Sequence, residues 1–410
     1  MIESDVLIIG GGPAGSIAAI KLRKAGYSVE LIEKVKFPRF VIGESLLPRC
    51  NELLEEVGVL ESVEKAGFQF KGGVAFENEK DDLKIVHFEN NMGQKHNSSF
   101  QVRRETFDKL LLDEAEALGT NLSIESEVIA YNPTTNMVTV KDKDEKIEEY
   151  SAKKVIDASG YGRVLPRLLD LDSDSKLALR NAIFCRVEND IRPSDGTDGY
   201  IYVYIVGDND AWIWNIPLSP TVTSVGIVCS DEYYQSFNMN QEQFWNHIVE
   251  NNPSSKERYK NASKINEVGF IGGYSSNVKT MFGENYVLVG NATEFLDPVF
   301  SSGVTLALES GSKAAELTIR EFQGEKVAWQ EEYEDYMMIG VNVFREYVEA
   351  WYDGRLQDIL FSKVPTVDKI ERKVVSVLSG YVWDEKNMFV HSPKEAVDAT
   401  HKILMTEDYK

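Results

Sequence analysis

The stretch from Met1 to Glu33 constrains this chain more than any other. Asp5-Val6-Leu7-Ile8-Ile9 is a short apolar run that ends in Gly10-Gly11-Gly12-Pro13-Ala14-Gly15. Ser16 to Ala25 reads as a helix, with Ala14, Ala18 and Leu22 on one face at four-residue spacing. Gly26 suits the left-handed position that closes a helix, and Ser28 to Glu33 reads as a second strand. The expected unit is strand, glycine turn, helix, strand. Each glycine has a task in it. Gly10 permits the tight turn, Gly12 lets backbone N–H groups approach a pyrophosphate, and Gly15 lets helix and strand pack closely. The helix N-terminus, at Pro13 and Ala14, turns positive partial charge toward the anion. Glu33 stands where a carboxylate binds ribose hydroxyls. The expected ligand is a dinucleotide.

At 410 residues the chain has room for about two or three domains. No apolar run approaches the roughly 20 residues of a membrane span. The apolar start is short and preceded by acids, unlike a secretion signal, so a cytoplasmic location is expected. The net charge of −22 argues against a nucleic-acid partner, because phosphate binding needs a basic face. Cys50, Cys185 and Cys229 form no CxxC, and the five histidines are dispersed, so neither a disulfide framework nor a metal site is expected.

Farther along, residues 51–65 read as one helix, 68–100 as strands, and 103–118 as an amphipathic helix with Phe107, Leu110, Leu111, Ala115 and Leu118 on one side. Lys154 to Gly160 reads as a buried strand ending in Asp157-Ala158-Ser159-Gly160. Residues 177–282 are mostly strand, interrupted by one helix near 241–250. Tyr286 to Gly290 is another buried strand, followed by a helix over 305–320. The last ninety or so residues read as helical, with an aromatic stripe at Tyr333, Tyr336, Phe344, Tyr347 and Trp351 that packs on the rest. Trp212 and Trp214 alternate with Ile213, so both indoles share one strand face. Ser301-Ser302-Gly303 precedes a helix, so its N–H groups can form an anion pocket. A single glycine-rich fingerprint is present. Gly160-Tyr161-Gly162 and Gly272-Gly273 lack the strand–turn–helix context. Electrons from a nicotinamide would therefore arrive transiently or through another protein.

Several stretches together resemble the FAD-binding frame of the hydroxybenzoate-hydroxylase-type flavoproteins, and within that group the flavin-dependent halogenases of the phenol and pyrrole type. They are the opening turn; Phe37 to Pro48; Phe68-Gln69-Phe70-Lys71-Gly72-Gly73; Asp157 to Gly160; Trp212-Ile213-Trp214-Asn215-Ile216-Pro217; Gly290-Asn291-Ala292; and Phe295 to Gly303. The resemblance covers residues 1 to about 360. It implies an α/β fold: a Rossmann-like FAD-binding domain of the glutathione-reductase type over 1–66, 101–174 and 283–320. This domain interleaves with a mostly antiparallel β-sheet substrate domain over 67–100 and 175–282, and a helical region follows over 321–410.

The resemblance also implies the chemistry. Reduced FAD, O2 and chloride or bromide give hypohalous acid, which a lysine, here Lys71, directs at an electron-rich aromatic carbon. An ammonium offers three donors for aiming that small neutral oxidant and can also form a chloramine. The halide would sit at the N–H groups of Ser302 and Gly303, and Trp212 and Trp214 would wall the path. Cofactor contacts are implied for Gly10, Gly12, Pro13, Ala14, Gly15, Glu33, Lys34, Arg39, Glu44, Ser45, Arg104, Asp157, Gly160, Asn291, Asp297 and Pro298. The implied partners are a small aromatic substrate, free or carrier-bound, and a separate flavin reductase. Two departures stand out. Asn291 replaces the family's aspartate and accepts a hydrogen bond without the charge, and no Trp follows Phe76. The same frame also serves isoprenoid reduction of the geranylgeranyl-reductase type, phenol hydroxylation, or flavin carriage without turnover.

Overall fold

The computed structural model describes residues 1–175, 177–363 and 368–407. The strand Ile2–Ile9 lies inside a seven-stranded sheet whose neighbours run in the order Asn121–Ile124, Val29–Glu33, Ile2–Ile9, Ile147–Asp157, Met137–Asp142, Ser126–Asn132. The first four are mutually parallel. Val6, Leu7 and Ile8 are fully buried because helices and sheet cover both faces, which is why this strand reads as an unbroken apolar run. Ile147–Asp157 splits its free edge. Residues Ile147–Ser151 pair antiparallel with Met137–Lys141, and Val155–Asp157 pair parallel with Tyr286–Leu288.

The helix Pro13–Lys24 packs between Arg104–Ala117 and the long helix Ser302–Phe322. Contact with the long helix is backbone-close: a Cβ on Gly311 would come within 2.3 Å of the Ala14 carbonyl oxygen. The starts of both helices, at Pro13–Ala14 and at Gly303–Val304, open onto one cavity.

The second sheet has eight strands, in the order Ser263–Lys264, Arg180–Glu188, Val222–Ser230, Ala211–Pro217, Ile201–Val206, Gly73–Glu77, Leu83–His87, with Gly269–Gly272 also on Arg180–Glu188. All its pairings are antiparallel except Ile201–Val206 with Gly73–Glu77. Side chains alternate across it. Phe76, Phe184, Trp212, Trp214 and Ile216 join the large core, while Ala75, Ile183, Cys185, Ile213 and Ile227 pack under Phe244, Trp245 and Tyr259.

Two local expectations are corrected. Residues 51–65 form two helices, Pro48–Glu56 and Leu60–Lys65, because Gly58 adopts φ +71° between them. The 177–282 stretch holds three helices rather than one. Asp231–Ser236 is capped by Ser230 and Pro253–Tyr259 by Asn252, in addition to Gln241–Asn251. Asn-Pro at a helix start is a readable cap signal. The C-terminal part is helical as expected, with Tyr333, Phe344, Tyr347 and Trp351 buried in the core. Among the described residues, no helix is long and apolar enough to cross a membrane.

Candidate active site

The opening turn leaves no room for side chains at two of its glycines. Gly10 has φ +101°, and a Cβ there would lie 2.5 Å from the Ala158 carbonyl oxygen; a Cβ on Gly15 would lie 2.0 Å from that of Gly10. Gly12 faces open space, where an added Cβ would meet only Arg39 Nη2 at 3.4 Å. The helix that follows has Pro13 in its first turn, no side-chain cap and no acid there. Its leading N–H groups and its positive end are thus left for a ligand. Arg39 adds a full charge beside them; its guanidinium lies 4.7 Å from the Phe37 ring centre and 3.3 Å from Asp108 Oδ2. Glu33 Oε2 accepts from Gly11 N–H at 2.8 Å and Oε1 from Val35 N–H at 2.8 Å. Its carboxylate is thereby fixed at the lip of the turn.

This turn opens into a cavity of about 470 Å³ between the two sheets. Gly10, Gly12, Pro13, Ala14, Glu33, Lys34, Arg39, Glu44, Ser45, Arg104, Gly160, Trp212, Trp214, Asn291, Pro298 and Gly303 all line it. Gly15, Lys71, Asp157, Asp297 and Ser302 stand behind that wall. The two aspartates use their oxygens internally. Asp157 accepts from the N–H groups of Ser159 and Leu165, and Asp297 Oδ1 from that of Val299. Arg104 forks onto Asp108 at 2.7 and 2.9 Å and donates to the carbonyls of Ile42 and Gly43, so it fixes the loop that carries Glu44 and Ser45. Glu44 Oε1 accepts from Arg186, which also forks onto Glu105. Burial pushes the Glu44 carboxyl up, with Arg186 pulling the other way. Its second oxygen, Oε2, is buried without a hydrogen-bond partner, a polar atom left over at the cavity.

Lys71 is 1% exposed. The Gln69–Lys71 strand pairs with Ser99–Gln101 and turns the side chain inward. Nζ donates to Ser45 Oγ at 2.7 Å and to the Leu46 carbonyl at 2.8 Å, and it lies 5.2 Å from the Phe88 ring centre. No carboxylate pairs with it in these contacts, and desolvation brings its pKa down to about 7. Ser45, which accepts from this amine, lines the cavity.

The long helix Ser302–Phe322 presents a second N-terminus here. Ser301 sits at φ +56°, makes no side-chain cap, and no acid lies in the first turn. The walls between are aromatic. The Trp212 and Trp214 rings are 6.1 Å apart, and Trp214 Nε1 donates to Ser224 Oγ at 3.2 Å. The three cysteines are buried thiols. Burial pushes Cys185 and Cys229 up to about 12 and raises Cys50. Among the described residues no group of His, Cys, Asp and Glu could hold a metal ion.

Sequence reasoning missed Arg163 and Arg186. Arg163 Nη1 reaches the carbonyls of Asn291, Ala292 and Thr293 at 3.3–3.5 Å and holds the turn that places Asn291. Neither arginine sits in a motif; only the fold brings its partners to it.

A glycine cradle without side chains, an uncapped helix end backed by a guanidinium, and a large cavity running toward an apolar aromatic wall fit a dinucleotide with a flat ring, and so define a flavoprotein. A family model described as an FAD binding domain matches residues 3–332. A 1H-pyrrole-2-carbonyl peptidyl-carrier-protein chlorinase of Pseudomonas fluorescens is 30% identical over 98% of this chain and 93% of its own length. The corresponding brominase of Pseudoalteromonas luteoviolacea is 28% identical over 93% of this chain and 92% of its own. The crystal structure of a flavoprotein/dehydrogenase from Cytophaga hutchinsonii, 39% identical, superposes with a TM-score of 0.95 over 99% of this chain and 100% of its own. The chain belongs to the FAD-binding-domain flavoproteins and, among them, to the flavin-dependent halogenases. Its cofactor is FAD.

Proposed function

We propose that this halogenase acts on an electron-rich aromatic ring of the pyrrole type, presented as a carrier-protein thioester, with Lys71 as the directing group. The relatives whose names specify a carrier-bound pyrrole align over nearly the whole chain, which supports that substrate class. The observation that supports the role of Lys71 is its placement: a buried amine bonded to Ser45, which lines the cavity, with burial bringing its pKa down to about 7. Reduced FAD, when bound, passes the oxidising power of O2 to a halide, giving hypohalous acid. The N–H groups after Gly12 at the start of the Pro13–Lys24 helix and the Arg39 guanidinium hold the diphosphate, and Arg104 and Arg163 fix the loops on either side of it. The N–H groups of Ser302 and Gly303 hold the halide. Trp212 and Trp214 keep water from the oxidant, whose route leads past Ser45. Lys71 donates a proton to the hypohalous oxygen as the halogen meets the ring carbon. The O–X and C–H bonds break, the C–X bond forms, the ring proton returns to the Lys71 amine, and the sum is ArH + HOX → ArX + H2O. A donor with a pKa near the working pH suits that transfer. With a single glycine-rich dinucleotide fingerprint in its sequence, the chain takes its reduced flavin from a separate reductase.

The test supplies chemically reduced FAD, O2 and bromide with a pyrrole-2-carbonyl-loaded carrier protein, free pyrroles and phenols. A brominated, carrier-bound product that vanishes without bromide is expected. Lys71→Ala should abolish that product while leaving flavin oxidation intact. Halogenation by wild type should fall as pH rises through about 7, as the ammonium form is lost. A hydroxylated or reduced product made equally well without halide sinks the proposal.

A further inference from the structure

Trp212 is 1% exposed, yet its indole N–H is not left unpaired. It donates to the hydroxyl of Tyr352 at 2.9 Å, a residue 140 positions away at the end of the helix Tyr336–Tyr352. That hydroxyl in turn donates to Asp297 Oδ2 at 3.0 Å, which also receives the Tyr274 hydroxyl at 3.4 Å. The other oxygen of Asp297 caps the short turn Pro298–Phe300, which leads into Ser301 and the N-terminus of the long helix. Arg180 closes the set: its guanidinium lies 3.4 Å from the Tyr352 ring centre, and it is tied to Asp210 at 3.0 Å. One hydroxyl therefore joins an aromatic wall residue, the turn before Ser302, and a helix that does not line the cavity.

The polarity of the chain matters. Indole N–H gives to phenol, and phenol O–H gives to carboxylate, so every donor points toward Asp297. Remove the hydroxyl and two groups lose together: the Trp212 N–H has no acceptor, and Asp297 Oδ2 keeps only the long bond from Tyr274. A buried donor without an acceptor costs enough to move a side chain, and Trp212 is a large one.

We propose that Tyr352 is a positioning residue for halogenation. By holding Trp212 and the Asp297 turn in register, it sets the halide pocket at Ser302–Gly303 and closes the wall that keeps hypohalous acid on its path. This rests on the halide reading of that turn.

Tyr352→Phe tests it, because the ring that stacks on Arg180 remains and only the bridging oxygen goes. Two measurements need no turnover: FAD affinity, expected unchanged, and the perturbation of the bound oxidised FAD spectrum by bromide, expected to need about tenfold more bromide. Under turnover, flavin oxidation should hold its rate. The bromide KM should rise about tenfold, and more hypobromous acid should escape to added free methionine. Tyr352→Phe and Trp212→Phe should be non-additive in the escaped fraction, since one acts through the other. Asp297→Asn is the second variant if the first folds poorly, with the same direction expected. Wild-type bromide dependence and wild-type escape in the folded variants overturn the proposal. Absence of any bromide effect on the wild-type spectrum overturns instead the halide reading on which it rests.

Discussion

Two helices begin at the same cavity, and their beginnings are built differently. At Pro13 the approach is a glycine turn so tight that neither Gly10 nor Gly15 accepts a Cβ, and a guanidinium stands over Gly12. At Ser302 the approach is a left-handed serine, a Cβ on Gly303 would meet only Phe295 at an ordinary 3.5 Å, and tryptophans wall the space nearby. Both ends leave N–H groups without a side-chain cap. The first combines close backbone approach with a full positive charge, as a diphosphate needs. The second offers backbone dipoles alone, which suits one small, weakly hydrated anion. The helix terminus is a shared device, and on the proposed reading the surroundings select the anion.

Substitutions can break or sharpen this contrast, beginning with the largest effect. Gly15→Ala drives a methyl to 2.0 Å from a carbonyl oxygen. It should destabilise the fold by about 1–3 kcal/mol and leave the purified protein without flavin absorbance. Lys71→Met leaves both helix ends in place. It should lower halogenated product about 100-fold or more at unchanged flavin oxidation, the size expected when an acid catalyst is lost. It has a second signature. The lysine pKa is near 7 in the folded chain against 10.5 unfolded, so between those values the unfolded chain binds more protons. Wild-type stability should therefore gain from this group as pH rises from 7 to 10.5, and Lys71→Met should remove that gain in denaturant titrations. Arg39→Met should weaken FAD binding about tenfold, through loss of a charge-assisted contact, and leave the bromide KM alone. A shift in bromide KM would mean that the two ends are not separate. Gly303→Ala, the counterpart of the first change, should alter bromide KM by less than about twofold, because its Cβ has room.

The glycine turn was readable because its pattern is local, all of it lying between Gly10 and Gly15, even though Gly10 answers to the distant Ala158 carbonyl and only Gly15 to a near neighbour, Gly10. The lysine and tryptophan roles were suggested by resemblance, and period-two alternation placed both indoles on one face. The support around them was not readable. Tyr352 meets Trp212 across 140 positions, Arg186 meets Glu44 across 142, and Arg163 meets Thr293 across 130. No spacing rule connects such pairs. Asp157 and Asp297 show the converse: acids inside recognisable motifs whose oxygens serve partners behind the cavity wall, backbone N–H groups for Asp157 and one N–H plus two tyrosine hydroxyls for Asp297.

The buried thiols bear on durability. Electrophilic halogen attacks sulfur readily, and fastest when the sulfur is ionised. Here Cys50, Cys185 and Cys229 are out of solvent, and burial raises the pKa of each thiol, which favours the neutral S–H form. A catalyst that makes a corrosive product thus offers it no exposed thiolate of its own, and successive turnovers can proceed with little self-inflicted damage at cysteine.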